Sequence, residues 1–172
     1  MIFSMSPVEA QARLSKVRLL ALDVDGTLTD GGLYYSDNGE EFKKFNVKDG
    51  QGMKLLMQSG VDIAIASASS STSTLHRAKK LGITHVYVGV EDKLQVLRSL
   101  CDQLGITLEQ VAYVGDDVND LPALQAVGCP LTVQDAVDDV KQVAIGVTKN
   151  MGGQGAVREI CDLLISSQRA AS

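Results

Sequence analysis

The sequence predicts an α/β fold: a Rossmann-like, three-layer parallel sheet with a β-hairpin inserted after the first strand and no separate cap domain. Three observations predict it. Short, continuous apolar runs alternate with amphipathic stretches, the pattern of buried parallel strands joined by helical crossovers. Glycines stand just beyond four of the amphipathic stretches, where a left-handed C-cap belongs. One segment, directly after the first apolar run, breaks the alternation with two extended stretches around a turn signal. The chain's 172 residues can bury a sizeable core, and no Pro-rich linker, repeat or low-complexity tract divides them, so residues 1–172 read as a single domain.

Taken in order, the first apolar run, 17–22, is unbroken and ends on Asp23, as a strand buried on both faces would. Residues 33–47 read as the hairpin, with Asp37-Asn38-Gly39 at its turn. Further strands are expected at 61–66, 85–88, 111–114, 131–133 and 143–147, and helices at 52–59, 72–81, 93–104, 121–127 and 156–166. In the third helix Leu94, Leu97, Leu100, Cys101 and Leu104 share a face. In the last, Val157, Ile160, Cys161, Leu164 and Ile165 do the same. Gly60, Gly82, Gly105 and Gly128 are the four expected C-caps.

Composition excludes several function classes. Trp is absent and aromatics make up only 4%, which leaves no stacking surface for single-stranded nucleic acid. A net charge of -5 argues against a phosphate-backbone partner, because affinity there comes from clustered Lys and Arg. No run approaches the roughly 18 apolar residues of a membrane span, and the first residues lack an export signal, so the expected location is the cytoplasm. Cys101, Cys129 and Cys161 have neither CxxC nor metal-ligand spacing, and buried thiols in a reducing compartment are expected.

Open parallel sheets bind ligands beyond the carboxyl ends of their strands, near the point where strand order reverses. Those ends carry Asp23-Val24-Asp25-Gly26-Thr27, then Ser67, then Glu91-Asp92-Lys93, then Gly115-Asp116-Asp117. Asp23 and Asp25 can face one site if the chain turns at once, which Gly26 allows. Carboxylates that close need a shared cation or proton. With Asp116 and Asp117 they make an oxygen-rich set suited to Mg²⁺. An acidic surface turn is the plainer alternative. A calcium loop fits poorly, since Gly26 falls too early and no bidentate Glu follows. Ser67 opens the polar run Ser67-Ala68-Ser69-Ser70-Ser71-Thr72, where a hydroxyl and free amides suit a phosphate oxygen; a simple N-cap cluster competes with that reading. Lys93, at the start of a helix, would ordinarily be solvated. His76 and His85 have no partner at ligand or triad spacing.

Together these segments resemble the four motifs of the haloacid dehalogenase superfamily of phosphatases. The resemblance extends through Asp30-Gly31, Asn38-Gly39-Glu40-Glu41, Phe45-Asn46-Val47-Lys48-Asp49-Gly50, Leu81-Gly82-Ile83-Thr84-His85 and residues 111–117 and 152–159. In this respect the chain is similar, from about residue 17 to about 166, to the 3-deoxy-D-manno-octulosonate 8-phosphate (Kdo 8-phosphate) phosphatases. The resemblance implies that Asp23 attacks phosphorus and forms an aspartyl-phosphate, while Asp25 protonates the leaving oxygen and then activates water. It implies Mg²⁺ on Asp23, the Asp25 backbone carbonyl and Asp116, with Asp117 and Asp120 in support. Ser67 and Lys93 would bind the transferring oxygens. Asn46, Val47, Lys48, Asp49, Gly50, Lys54 and Arg77, together with Asp25 and Lys93, match positions that contact the sugar acid. These relatives lack a mobile cap, and the resemblance implies a homotetramer in which hairpins and C-terminal segments help close neighbouring sites.

Two positions depart from the family pattern. Ser67-Ala68-Ser69 stands where Thr-Gly-Arg is usual, and Gln154 where an Arg is common. Ser for Thr keeps the hydroxyl, but losing Arg removes a bidentate partner for a carboxylate. A phosphatase of the same fold for another sugar-acid phosphate, such as a nine-carbon keto-acid 9-phosphate, is therefore the second reading. A non-catalytic assembly domain is the third, disfavoured by the complete set of site residues. A receiver-type signalling domain is opposed by the two-residue spacing of Asp23 and Asp25 and by the hairpin.

Overall fold

The computed structural model describes residues 1–170. The elements run β1 (Ile2–Phe3), α1 (Pro7–Leu14), β2 (Leu19–Leu22), β3 (Tyr34–Tyr35), β4 (Glu41–Phe42), α2 (Val47–Gln58), β5 (Asp62–Ser67), α3 (Thr72–Leu81), β6 (His85–Val88), α4 (Lys93–Leu104), β7 (Val111–Val114), α5 (Leu121–Ala126), β8 (Cys129–Thr132), α6 (Asp138–Val143), β9 (Gly146–Val147) and α7 (Ala156–Arg169). Seven strands form one sheet in the order β1-β9-β8-β7-β2-β5-β6, and β3 and β4 form a separate ribbon. All neighbours in the large sheet are parallel except β1 and β9.

β2 lies between β5 and β7, with Leu20 level with Ile63 on one side and Ala112 on the other. The chain leaves β2 for β5 and β6, then returns to the opposite side for β7, β8 and β9. Strand order therefore reverses at β2, and a crevice opens beyond its carboxyl end. All four β2 residues are buried, because helices cover both faces. α7 packs on α1 and α2, while α4, α5 and α6 form the other layer. The expected fold class is thus the observed one, and between β2 and α2 the insertion is the ribbon alone.

Some boundaries differ from expectation, each for a physical reason. α2 begins at Val47, not at residue 52, because the Asn46 side chain caps it by accepting from Lys48 N at 2.8 Å. Gly50 and Gly52 are there for close packing, not for a loop. A Cβ on Gly50 would stand 2.3 Å from Arg77 Nη2, and one on Gly52 would stand 2.8 Å from Arg158 Cδ. The hairpin strands shorten accordingly to two residues each. Of the expected strand at 143–147, Val143 is the last residue of α6 and only Gly146 and Val147 are strand. Gly128 is not a left-handed cap; it leaves room for Glu109 O, which would lie 2.2 Å from a Cβ. At the N-terminus, β1 and α1 had no counterpart in the expected elements, although Ser6 and Glu9 form a capping box and Pro7 opens the helix.

Candidate active site

The crevice beyond β2 is where the acidic residues converge. Asp23 continues the ladder by donating its amide to Val114 O at 2.9 Å, and is only 5% exposed. The chain then turns sharply, with the amides of Leu28 and Thr29 both bonding back to Val24 O. Gly26 makes that turn at a φ of +86°, and a Cβ there would lie 2.0 Å from Asp116 Oδ2. Only glycine satisfies both conditions, which is why the carboxylate from the end of β7 can sit against the loop from the end of β2.

Lys93 is the first residue of α4, whose cap Asp92 accepts from Gln95 N at 2.9 Å. The local sequence alone would leave this lysine solvated, and only the family resemblance made it a site residue; it is buried. Its ammonium lies 2.7 Å from Asp23 Oδ1 and 2.6 Å from Asp120 Oδ1. Burial alone would lower its pKa, but the two carboxylates outweigh that and raise it. Asp120 is itself fully committed. Its Oδ1 also accepts from the Tyr113 hydroxyl at 2.6 Å, and its Oδ2 takes the amides of Asp116 (3.0 Å) and Asp117 (3.4 Å). Asp120 therefore anchors Lys93 and shapes the loop that carries Asp116.

Oxygens of Asp23, Asp116 and Asp120 lie within 4.8 Å of one another. Burial, then the charge of Asp120, pushes Asp23 up to about 6 against the pull of Lys93. Burial, then Asp23 and Asp120, pushes Asp116 up to about 8. A cluster so short of positive charge fits a hard divalent cation, and oxygen donors are what Mg²⁺ takes. Because both oxygens of Asp120 are engaged, Asp23 and Asp116 are the side chains with capacity to hold it. Asp117 is exposed and its Oδ1 caps the following turn, accepting from Val118 N at 2.7 Å; its support of the site is confined to that loop.

Ser67 ends β5, is buried, and accepts from Ser69 N at 3.2 Å. Asp25 sits half-buried at the mouth, its Oδ1 2.5 Å from Lys43 Nζ. Lys43 was not among the sequence candidates. A lysine two residues beyond Glu41 in an aromatic hairpin was the available signal. A concavity between hairpin and serine loop is lined by Glu40, Glu41, Phe42, Ser69, Ser70 and Ser71. It offers carboxylates and hydroxyls and no cation of its own.

Of the sugar-acid candidates Lys93 lies against Asp23, while those between Asn46 and Arg77 have other partners or line another hollow. Asn46 is engaged as a cap, with Nδ2 donating to Gly153 O at 3.1 Å. Asp49 is buried and turned toward α7, accepting from Arg158 N at 2.8 Å, and its burial raises its pKa. Arg77 donates to Asn46 O at 3.0 Å and lies over the Phe45 ring. Val47, Gly50, Lys54 and Arg77 line a shallow hollow on the outer side of α2 and α3, and Lys48 is exposed beside it. Within one chain, Asp49 and Arg77 serve packing.

Comparison with known proteins places the chain in a family. Residues 46–128 match the model of the haloacid dehalogenase-like hydrolases. The 3-deoxy-D-manno-octulosonate 8-phosphate phosphatase of Escherichia coli K12 is 44% identical over 94% of this chain and 87% of its own length. The enzyme of that name from Moraxella catarrhalis, solved with magnesium ion, phosphate ion and KDO, superposes with a TM-score of 0.93 at 40% identity, covering 95% of this chain and 94% of that one. The cobalt-bound deoxy-D-mannose-octulosonate 8-phosphate phosphatase of Haemophilus influenzae gives 0.88 at 40% identity, covering 91% and 92%. With relatives of that identity and coverage, the chain belongs to the haloacid dehalogenase-like hydrolases, among the phosphatases of that family.

Proposed function

We propose that this chain hydrolyses 3-deoxy-D-manno-octulosonate 8-phosphate through an aspartyl-phosphate on Asp23. The observation that carries the reading is the Asp23–Lys93–Asp120 clamp in the switch-point crevice. A nucleophilic carboxylate is fixed there beside a cation that can take the negative charge of a transferring phosphoryl group. Asp23 attacks phosphorus and the bond to the sugar oxygen breaks, with the proton for that oxygen coming from Asp25. Water then attacks phosphorus, its proton passes to Asp25, and phosphate leaves with the Asp23 carboxylate restored. Lys93 holds the oxygens in both halves, with Ser67 beside it. Asp23, Asp116 and the Asp25 backbone carbonyl would hold Mg²⁺, which supplies charge neutralisation when bound.

The chain works in this reading as a single domain and as a homotetramer. The hairpin exposes Leu33, Tyr34, Tyr35 and Phe42, an apolar surface that another copy would cover. Lys48, Lys54 and Arg77 would bind the substrate carboxylate from a neighbouring copy. The location is the cytoplasm, and no described helix is long and apolar enough to cross a membrane.

A second reading, a nine-carbon keto-acid 9-phosphate as substrate, is favoured by one observation: the mouth beside Ser69 has no cation in its lining. Release of phosphate from eight- and nine-carbon keto-acid phosphates, compared as kcat/KM, separates the two. A preference of tenfold or more, about 1.4 kcal/mol, decides the substrate. No release from any of them rejects the sugar-acid assignment.

A further inference from the structure

Lys43 is an odd residue to find in a solvent-facing ribbon. Its side chain is 2% exposed, and burying an ammonium is unfavourable unless it is paired on most sides. Here it is paired twice. Its Nζ lies 2.5 Å from Asp25 Oδ1 and 3.3 Å from Glu41 Oε1. The other Glu41 oxygen accepts from the Tyr35 hydroxyl at 3.3 Å, and Tyr35 and Glu41 are level across the ribbon. A continuous chain of polar contacts therefore runs from both hairpin strands to the carboxyl of Asp25. Asp25 itself lies past the last residue of β2 in an open turn, with a side chain 36% exposed. Unlike Asp23, it has no buried lysine from a sheet-covering helix to fix its rotamer.

We propose that Lys43 is a positioning residue for the proposed reaction, holding the Asp25 carboxyl in the orientation from which it serves the leaving oxygen. The proposal rests on the phosphatase reading of Asp25 above. Proton delivery depends on placement within a fraction of an ångström, and a displaced acid loses much of its effect. The ribbon acts as a brace: through Lys43 its seating is felt at the leaving group and not at the nucleophile. Lys44, its neighbour, pairs with Asp30 and is 60% exposed, so it ties the same ribbon to the same loop without touching Asp25.

The leaving group supplies the test. A sugar alkoxide needs a proton as it departs, whereas p-nitrophenolate is a stable anion and needs almost none. kcat/KM reports only the steps up to departure of the alcohol, so hydrolysis of the phosphoenzyme, common to both substrates, does not enter. Lys43→Met should lower kcat/KM for a sugar phosphate by about tenfold or more, a part of the 10²–10⁴ that general acid catalysis contributes. For p-nitrophenyl phosphate the loss should stay within about threefold on the same argument. Lys43→Gln, which keeps length and a donor, should fall between and serves if the Met variant does not fold. Lys44→Met should show no dependence on the leaving group. In an Asp25→Asn background Lys43→Met should add nothing further, since the acid it positions is gone. Equal losses on both substrates, or additive effects in the double variant, overturn the proposal and make Lys43 a phosphate-binding or merely structural residue. Failure of the phosphatase reading looks different: wild type would release phosphate from neither substrate, and the proposal would fall with it.

Discussion

Asp116→Asn should stabilise the metal-free protein while abolishing its response to Mg²⁺. The reasoning starts from the crowding of carboxylates at the crevice. Asp116 is pushed from 3.8 to about 8, first by burial and then by Asp23 and Asp120. Between those limits the unfolded chain has lost the proton and the folded chain has kept it, so folding stability falls as pH rises from about 4 to 8. Each unit is worth about 1.4 kcal/mol, which sets an upper bound of about 6 kcal/mol on the loss. Part of that belongs equally to Asp23, whose charge raises Asp116, so about 3 kcal/mol is the share to assign to one residue. Asn has no charge to bury and can still accept the 3.3 Å bond from Thr27 Oγ1. In chelator at pH 8 the variant should therefore melt roughly 6–12 °C above wild type, since 1 kcal/mol moves a domain of this size by about 2–4 °C. At pH 5.5 most of the gap should close. Mg²⁺ should raise the Tm of wild type, more at pH 8 than at pH 5.5, and leave the variant nearly unmoved. The assay is thermal unfolding at both pH values with chelator and with Mg²⁺. A variant less stable than wild type at pH 8 in chelator, or one that gains as much from Mg²⁺, refutes the account of the cluster.

The remaining expectations are shorter. Asp23→Asn should reduce turnover to below a few per cent with the fold intact by circular dichroism, because an amide does not attack phosphorus; retained activity would exclude the covalent route. Activity lost to chelator should return with Mg²⁺ and poorly with Ca²⁺, whose longer, looser coordination spoils in-line geometry, as phosphate release reports directly. Phe42→Glu, at an exposed hairpin position, should shift sedimentation from tetramer toward smaller species and raise KM, and an unchanged tetramer would place the interface elsewhere. Ser69→Arg should lower KM for an eight-carbon keto-acid phosphate if the mouth is otherwise of that type, and should lower kcat/KM if the substrate is a longer sugar acid.

The parts of this molecule legible in the sequence are those where one physical demand acts alone. A strand buried on both faces must be apolar throughout, so 17–22 announced β2 and pointed to Asp23 at its end. Asp116 followed from Val111–Val114 by the same logic. The start of α2 was set at Gly52, five residues late, because two demands conflict there: Gly50 looks like a loop residue, yet it is small so that Arg77 and Leu81 can come close. Packing overrode propensity. Lys93 and Asp120 could be named as site residues only by resemblance, because nothing local distinguishes a lysine at a helix start that is buried from one in water. Lys43 was hidden for a related reason. Its partner Asp25 is 18 residues away, and only the folded ribbon brings them together.

The site's own asymmetry bears on how it handles a substrate without a cap. Around Asp23 every group is fixed from within the sheet: Asp23 by β7, Lys93 by Asp120, and Asp120 by Tyr113 and two amides. Electrostatic preorganisation of that kind costs no rearrangement at the moment of reaction. Around Asp25 the fixed parts are few. Asp25 depends on a lysine of a two-stranded ribbon, and such a ribbon is marginal by itself in water. The same ribbon carries the exposed aromatic surface. Covering that surface would seat the ribbon, and a seated ribbon would hold Lys43 against Asp25. Assembly and proton delivery would then be one event seen from two sides. Phosphoryl transfer to Asp23 would depend on the sheet, and release of the alcohol on the partner.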